Sequence, residues 1–301
     1  MTSLPHSTDK LKAVLLAGGY GTRAKPFTDY FPKAMFPLDG RPVIDHIVRF
    51  LARFPSIIEI IIVCDFDRFG KQIINYFEGK DSVLGKPIKF VEDKKKGTGG
   101  SLLGVERHIG QDKYFLLWFA DNLSGLKIDH MVQDYNLISS KNKEAIIGMV
   151  AIRKKRREET GRVILENLQV NSGSSNTVIR IKEFMEKHTL RLEQPEALGI
   201  YIFSKRIFEY LHKRSNEGYS SFNLSHANYT KKAHKNILNK KKKLSFSFDL
   251  SHDILSKIAG TANLFSYDIG DDIEWIDAES PAYLDRNRDI VEKILSQMHS
   301  V

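Results

Sequence analysis

The chain has 301 residues and a mass of 34.4 kDa, and 42% of its residues are hydrophobic and 28% charged. These proportions are typical of a globular protein in water, and no run of about 18 apolar residues predicts a membrane span. The formal net charge is +9. The basic runs at 153–157 and 231–243 contain no Phe, Trp or Tyr for base stacking, so nucleic acid is not expected as a partner.

Two features indicate the compartment. Residues 1–10 lack the apolar core of a secretory signal peptide. The single cysteine, Cys64, cannot form an internal disulfide and lies in an apolar run, so we expect a buried thiol. We therefore predict a cytoplasmic protein, and a homo-oligomer is compatible with the sequence.

The first half of the chain alternates short apolar runs with amphipathic segments. Strands are predicted at Lys12–Ala17, Ile57–Cys64, Ile88–Val91 and Tyr114–Phe119. Helices are predicted at Val43–Phe54, at Arg68–Phe77, and after Gly97–Gly100 as far as about His108. Repeated strand–helix units of this length predict an α/β fold with a mainly parallel sheet that helices cover on both faces.

The rhythm changes in the second half, where connections are shorter. Strands are predicted at Ala145–Ile152, Gly161–Leu165, Val178–Phe184, Ala197–Phe203 and Leu264–Asp268. Helices are predicted at Ser204–Lys213 and from Pro281 onward, with a lysine-rich loop at 215–243 between them. The whole sheet is therefore expected to be mixed, in one domain with two lobes, 11–125 and 126–301.

A glycine-rich segment follows the first predicted strand. It reads Gly18-Gly19-Tyr20-Gly21-Thr22-Arg23, with Lys33 ten residues beyond the arginine. Glycines let the backbone approach a phosphate chain closely, and Arg and Lys side chains can neutralise its charge. The pattern is neither a Walker motif nor a complete dinucleotide fingerprint.

The longer stretch from Leu16 to Pro37 resembles the signature of the sugar nucleotidyltransferase family. That signature runs G-G-x-G-T-R, then proline and threonine, then P-K and another proline. Later motifs of the family are similar to Gly97–Leu102, Ala120–Asn122, Glu158–Val163, Glu183–Lys187, Gly199–Phe203 and Trp275–Asp277. The resemblance implies a Rossmann-like fold with a nucleotide-binding lobe and a sugar-phosphate-binding lobe.

The resemblance also implies roles for individual residues. Arg23 and Lys33 would be catalytic, and Asp121 and Asp277 would bind Mg²⁺. The nucleotide would be held by Leu16, Ala17, Gly18, Gly19, Gly21, Thr22, Gly97 and Thr98. The sugar phosphate would be held by Asn122, Gly161, Glu186, Lys187 and Gly199.

The implied reaction joins a nucleoside triphosphate to a sugar 1-phosphate and releases pyrophosphate. The attacking phosphate is already ionised, so catalysis needs positioning and charge neutralisation rather than a protein nucleophile. Glu92, five residues before Gly97, lies where the resemblance places a base-reading side chain. An ionised carboxylate only accepts hydrogen bonds, and guanine presents two adjacent donors. The prediction is GTP with mannose or heptose 1-phosphate.

Two alternatives stay open. One is a thymidylyl- or uridylyltransferase that acts on glucose 1-phosphate. The other is a regulatory homologue that binds nucleotide without turnover, a class that tends to lose the catalytic side chains and to add a β-helix tail. Arg23, Lys33, Asp121 and Asp277 are all present, and the sequence ends 24 residues after Asp277, so no β-helix tail is expected.

Overall fold

A computed structural model of the chain describes residues 10–19, 21–67, 69–80, 84–142, 145–154, 162–170, 178–185, 194–227, 246–261 and 263–300. Its centre is a nine-stranded sheet in the order β5-β4-β1-β6-β11-β8-β12-β10-β9. The first-half strands are β1 (Leu11–Leu16), β4 (Ile57–Cys64), β5 (Ile88–Glu92) and β6 (Tyr114–Phe119). The others are β8 (Gly148–Arg153), β9 (Arg162–Val170), β10 (Val178–Met185), β11 (Glu196–Ser204) and β12 (Leu264–Asp268).

The strand directions match the predicted mixed sheet. Strands β5, β4, β1 and β6 pair in parallel, and β8 pairs in parallel with β12. Strand β11 runs antiparallel to both β6 and β8, and β10 runs antiparallel to both β12 and β9. Seven of the nine strands therefore share one direction, which confirms an α/β fold with a mixed, mainly parallel sheet.

Two further pairs of short strands lie outside this sheet. Strands β2 (Pro37–Leu38) and β3 (Arg41–Pro42) form a tight hairpin. Strands β7 (Asn122–Ser124) and β13 (Trp275–Asp277) pair in antiparallel register, with Asn122 opposite Asp277.

Helices cover both faces of the sheet. They are α1 (Val43–Ala52), α2 (Gly70–Phe77), α3 (Gly97–Leu103), α4 (Glu106–Ile109), α5 (Ile128–Lys141), α6 (Ile207–Ala227), α7 (Ser256–Ile258), α8 (Pro281–Arg286) and α9 (Arg288–His299). A π-helix at Leu250–Leu255 leads into α7, and single 3₁₀ turns span Thr22–Ala24, Phe27–Asp29 and Lys33–Met35. No helix within the described ranges combines the length and the apolar character needed to cross a bilayer.

The core has two layers because alternate side chains of each strand point to opposite faces. In β1, Ala13 and Leu15 pack with α1, α2, α5, α8 and α9, whereas Val14 packs with α3, α4 and α6. Cys64 is fully buried at the end of β4, as expected, and its burial raises the pKa of the thiol to about 12.

Two helix predictions were wrong in extent, and one helix was not predicted. The helix predicted to end at Lys213 continues to Ala227, so the predicted loop is helical over 215–227; residues 228–245 lie outside the described ranges. The glycines of Gly97–Gly100 form the first turn of α3 rather than a loop before it. Helix α5 was not predicted, although Ile128, Met131, Val132, Tyr135 and Ile138 are buried along one helical face.

Candidate active site

A cavity of about 400 Å³ opens at the carboxyl ends of β1, β5 and β6. Ligand sites in open α/β sheets form at this edge, where the loops after neighbouring parallel strands meet. We call this cavity the cleft. Its lining contains eleven of the residues predicted from the sequence: Leu16, Ala17, Gly18, Gly19, Gly21, Thr22, Arg23, Lys33, Gly97, Thr98 and Asp121.

The loop after β1 forms one wall of the cleft, and it needs glycine at position 18. A Cβ atom at Gly18 would lie 1.6 Å from Oδ2 of Asp93, so no side chain fits there without moving the carboxylate. Within the described part of the chain, the N–H groups of Gly18, Gly19 and Gly21 make no backbone hydrogen bond. A wall of unused donors is suited to anionic oxygens.

Lys33 occupies the end of the cleft between two carboxylates. Its Nζ donates to Oδ2 of Asp121 at 2.8 Å and to Oδ1 of Asp277 at 2.6 Å. Asp121 lies two residues after β6 and directly before β7, and the pairing of β7 with β13 brings Asp277 alongside it. The N–H of Ala278 also donates to the carbonyl oxygen of Asp121 at 2.7 Å, which fixes the two backbones together.

The contacts in this cluster shift the pKa values of Lys33 and Asp277. Burial opposes the charge on Lys33, but the attraction of Asp121 and Asp277 outweighs it and the pKa of Lys33 is raised. Burial, followed by repulsion from Asp121, raises the pKa of Asp277 to about 6 even though Lys33 opposes this. One ammonium therefore neutralises two carboxylates incompletely, and the cluster carries excess negative charge.

The same cluster has the carboxylate donors that Mg²⁺ takes from a protein. The ion favours one or two carboxylates and completes its octahedron with water and phosphate oxygens. Asp121 and Asp277 converge on a single point, and their charge exceeds what Lys33 supplies. No group of three or more His, Cys, Asp or Glu side chains suited to a metal occurs among the described residues. The donor set therefore fits a magnesium ion that is shared with a phosphate ligand.

Arg23 lies at the mouth of the cleft. Its guanidinium is 3.8 Å from a carboxylate oxygen of Glu279, and 67% of the side chain is exposed. At this exposure the ion pair contributes little to stability. The side chain can therefore change partner at little cost when an anion enters.

The opposite wall combines α3 with the segment around Phe248. A Cβ at Gly97 (φ +75°) would lie 2.4 Å from the carbonyl oxygen of Phe248, and the N–H of Gly99 donates to that oxygen at 3.1 Å. The hydroxyl of Thr98 donates to Asp249 at 2.7 Å and accepts from the N–H of Leu250 at 2.8 Å. This wall is thus built from two distant parts of the chain.

The structure does not bring Glu92 to the cleft. Glu92 is exposed at the end of β5, whereas its neighbour Asp93 is buried and lines the cleft. Oδ1 of Asp93 accepts from the N–H of Lys95 and from the hydroxyl of Ser101, both at 2.8 Å. Alternation along the strand therefore turns Asp93, rather than Glu92, toward the cleft, and the base-reading role of Glu92 stays a prediction.

Five polar residues of the described cleft lining had no predicted role: Asp93, Lys95, Ser101, Ser247 and Glu279. Lys95 donates to the carbonyl oxygen of Gly18 at 2.8 Å and pairs with Asp65 at 3.1 Å, so it joins the two glycine-containing walls. For three of them, the sequence signal was proximity to a predicted site residue. Asp93 and Lys95 lie just before Gly97, and Glu279 lies two residues after Asp277.

The predicted sugar-phosphate residues are placed only in part. Gly161, Glu186 and Lys187 lie outside the described residues. The side-chain amide of Asn122 is buried and donates to the carbonyl oxygen of Leu198 at 2.8 Å. Gly199 has φ +70° and packs against that amide, since a Cβ there would lie 2.1 Å from it. Neither Asn122 nor Gly199 belongs to the described lining of the cleft.

A buried ionic network contacts Trp275 of β13. Glu196 is fully buried and pairs with both Arg153 and Arg162, the latter at 3.3 Å. Arg153 also donates to the carbonyl oxygen of Trp275 at 3.0 Å, and its guanidinium lies 4.7 Å from the centre of the Trp275 ring. Arg153 therefore anchors the strand that carries Asp277.

Known proteins resemble this chain in sequence and in fold. A uridylyltransferase for UTP and glucose 1-phosphate from Haloferax volcanii is 32% identical over 41% of this chain and 48% of its own length. A mannose-1-phosphate guanylyltransferase regulatory subunit alpha-B from Danio rerio is 25% identical over 85% of this chain and 57% of its own length. The chain thus spans about half the length of these relatives.

Solved structures show the same fold at low identity. A UDP-glucose pyrophosphorylase bound to UDP-glucose has a TM-score of 0.64 and 20% identity, covering 97% of this chain and 98% of its own. An inositol-1-phosphate CTP transferase from T. maritima has a TM-score of 0.63 and 18% identity, covering 97% of both chains. The family model described as nucleotidyl transferase matches residues 12–291. The chain therefore belongs to the nucleotidyl transferase family.

Proposed function

We propose that the chain is a magnesium-dependent sugar-1-phosphate nucleotidyltransferase, which converts a nucleoside triphosphate and a sugar 1-phosphate into a nucleotide sugar and pyrophosphate. The arrangement of Lys33 between Asp121 and Asp277, at the end of a glycine-walled cleft, carries the proposal. A cation beside two carboxylates that would hold Mg²⁺ supports the proposal, because both charges can offset the negative charge of an in-line displacement at phosphorus.

The protein's own contribution is positioning and charge. The N–H groups of Gly18, Gly19 and Gly21 hold the triphosphate oxygens, and Arg23 turns from Glu279 toward the leaving pyrophosphate. Lys33 neutralises the α-phosphate as the sugar phosphate attacks. The pyrophosphate leaves with the electron pair of the broken P–O bond, and no protein proton is needed because the attacking oxygen is already ionised.

Asp121 and Asp277 would hold the magnesium ion. When bound, the ion supplies Lewis-acid stabilisation of the phosphate charge. On the sugar side, Lys187 is proposed to bind the sugar's phosphate, and Glu186 and Gly161 to contact its hydroxyls. Asn122 and Gly199 are proposed to act indirectly, because Asn122 is already bonded to the backbone next to Gly199.

For the substrates, we propose GTP with mannose or heptose 1-phosphate. The loop at Gly97–Gly100 resembles that of guanylyltransferases, and a relative matched over 85% of this chain is named for mannose-1-phosphate guanylyltransferase. With Glu92 outside the cleft, the base would be read by groups near Lys95, Gly97 and Ser247. UTP or dTTP with glucose 1-phosphate is the alternative, since another relative is a uridylyltransferase.

Pyrophosphate release from a panel of triphosphates and sugar 1-phosphates tests the reaction and the substrates together. Magnesium-dependent release that requires both substrates supports the proposal, and the best pair identifies them. Release with UTP or dTTP at least tenfold faster than with GTP would contradict the guanine assignment alone. No release with any pair would contradict the activity.

A non-catalytic regulatory protein is a second candidate, because the same relative is a regulatory subunit. The two candidates differ in what the cluster at Lys33 is for. A regulatory protein needs only to bind nucleotide, so it has no need for two carboxylates that face one ammonium. Nucleotide binding in calorimetry without any turnover across the panel would favour this candidate.

The assignment of the two lobes has its own test. Arg23→Ala is expected to weaken triphosphate binding, whereas Lys187→Ala is expected to raise KM for the sugar phosphate and leave triphosphate binding almost unchanged. Equal loss of triphosphate binding in both variants would show that Lys187 does not face the sugar.

A further inference from the structure

A second cavity, of about 390 Å³, lies between α1 and the carboxyl-terminal end of α9. Its described lining shares no residue with the cleft. Five of its lining side chains are basic or can become so: Arg41, His46, Arg49, Arg53 and His299. No Asp or Glu lines it among the residues that the structure describes.

One helix face and the preceding hairpin create this concentration of basic groups. His46, Arg49 and Arg53 are spaced three and four residues apart in or directly after α1, so their side chains project from one side. Arg41 joins them from β3, immediately before the helix. The ring of His46 is fixed by its Nε2, which donates to the carbonyl oxygen of Leu38 at 2.8 Å.

Contacts with Asp45 and with backbone carbonyl groups orient the arginines. Asp45 is fully buried, and its Oδ2 accepts from Nε of Arg49 at 2.7 Å and lies 3.7 Å from Nη1 of Arg41. Arg53 donates to the carbonyl oxygens of Met298 and His299, at 3.0 and 2.7 Å. A single carboxylate is thus shared by two guanidiniums, and the pair keeps an excess positive charge at the cavity wall.

We propose that this cavity binds the phosphate group of a small phosphorylated metabolite, at a site separate from the cleft. Guanidiniums whose orientation is already fixed recognise phosphate through paired N–H donors. The volume falls within the range of small-molecule sites. Ala52 and Leu84 are half-buried and supply apolar surface for the rest of such a molecule.

The test follows histidine ring signals by NMR in the full chain labelled with carbon-13 histidine. Inorganic phosphate and then a hexose 6-phosphate are titrated at constant ionic strength. His46 and His299 are expected to shift with one common saturable Kd. His108, His130 and His212, which do not line the cavity, serve as internal controls and are expected to stay in place.

The variant Arg41→Gln, Arg49→Gln is expected to weaken this Kd at least tenfold, and the glutamine amide at position 49 can still donate to Asp45. Arg41→Gln alone changes a side chain that is 48% exposed, so its fold should persist, and a threefold loss is expected. Arg206→Gln is the matched control and should bind normally. An unchanged Kd in both cavity variants, or shifts that do not saturate, would overturn the proposal.

Discussion

The Nζ of Lys33 lies 2.6 Å from Oδ1 of Asp277, although 244 positions separate the two residues. Asp277 reaches this point because β13 pairs with β7, directly after Asp121. The contact therefore depends on the whole fold. It also concentrates in one place the charges that phosphoryl transfer requires.

Replacing either carboxylate is expected to reduce turnover much more than stability. Asp121→Asn or Asp277→Asn should lower kcat by roughly 10²-fold, because each removes a charge that orients the transition state. Asp285→Asn, an exposed acid in α8, is the control. Steady-state rates at saturating magnesium measure the effect, and near-normal turnover in both variants would refute the assignment.

Substituting Glu92 is expected to leave the base preference unchanged, whereas substituting Asp93 is expected to impair stability and triphosphate binding. Glu92→Gln should leave the ratio of kcat/KM for GTP and UTP unchanged within about twofold, because Glu92 is exposed outside the cleft. Asp93→Ala should lower Tm and raise KM for the triphosphate, since it removes the acceptor for Ser101 and for the N–H of Lys95. A changed base preference in the Glu92→Gln variant would instead show that Glu92 reads the base.

Removing the charge of Glu196 is expected to destabilise the fold and slow the reaction. Glu196→Gln leaves Arg153 and Arg162 buried without their carboxylate, a loss that costs about 3–5 kcal/mol in comparable buried pairs. The kcat should fall as well, because Arg153 also anchors Trp275 next to Asp277. Urea unfolding and initial rates measure both effects. Glu292→Gln, which removes an exposed pair with Arg288, is the control and should leave the unfolding free energy almost unchanged.

His46 is expected to make stability depend on pH near neutrality. Burial lowers its pKa in the folded chain, although Leu38 and Asp45 partly oppose this. The unfolded chain therefore binds the proton more readily than the folded chain. The stability that neutral His46 contributes is complete above the ordinary histidine pKa of about 6.5 and is lost as the pH falls below that value. Urea unfolding between pH 5 and pH 8 should show a smaller loss on acidification in His46→Gln. Identical slopes in both proteins would contradict this.

The sequence predicted the sheet well because long apolar strands carry a strong local signal. Ile57–Cys64, Tyr114–Phe119 and Leu264–Asp268 have the predicted bounds. The predicted residues of the first glycine wall and Lys33 follow one continuous motif, and the structure brings them together with Asp121.

Other features carried no local signal. Strands of two or three residues, such as β7 and β13, are too short for periodicity to reveal, yet they bring Asp121 and Asp277 together. Glu92 lies outside the described lining of the cleft whereas Asp93 lines it, because successive side chains of a strand point to opposite faces. The pairing of Phe248 with α3 joins segments about 150 positions apart, so no sequence window contains it.

That last pairing has a consequence for the two lobes. The backbone of Phe248 is hydrogen-bonded on both sides. Its N–H donates to the carbonyl oxygen of Lys96 at 3.0 Å, and its carbonyl oxygen accepts from the N–H of Gly99 at 3.1 Å. Strand β11 is also inserted beside β6, so the later half of the chain completes the sheet of the earlier half. A chain cut near residue 126 would leave each fragment with an unpaired sheet edge. The halves should fold only when they are mixed, and fragment complementation rather than independent folding is the behaviour to look for.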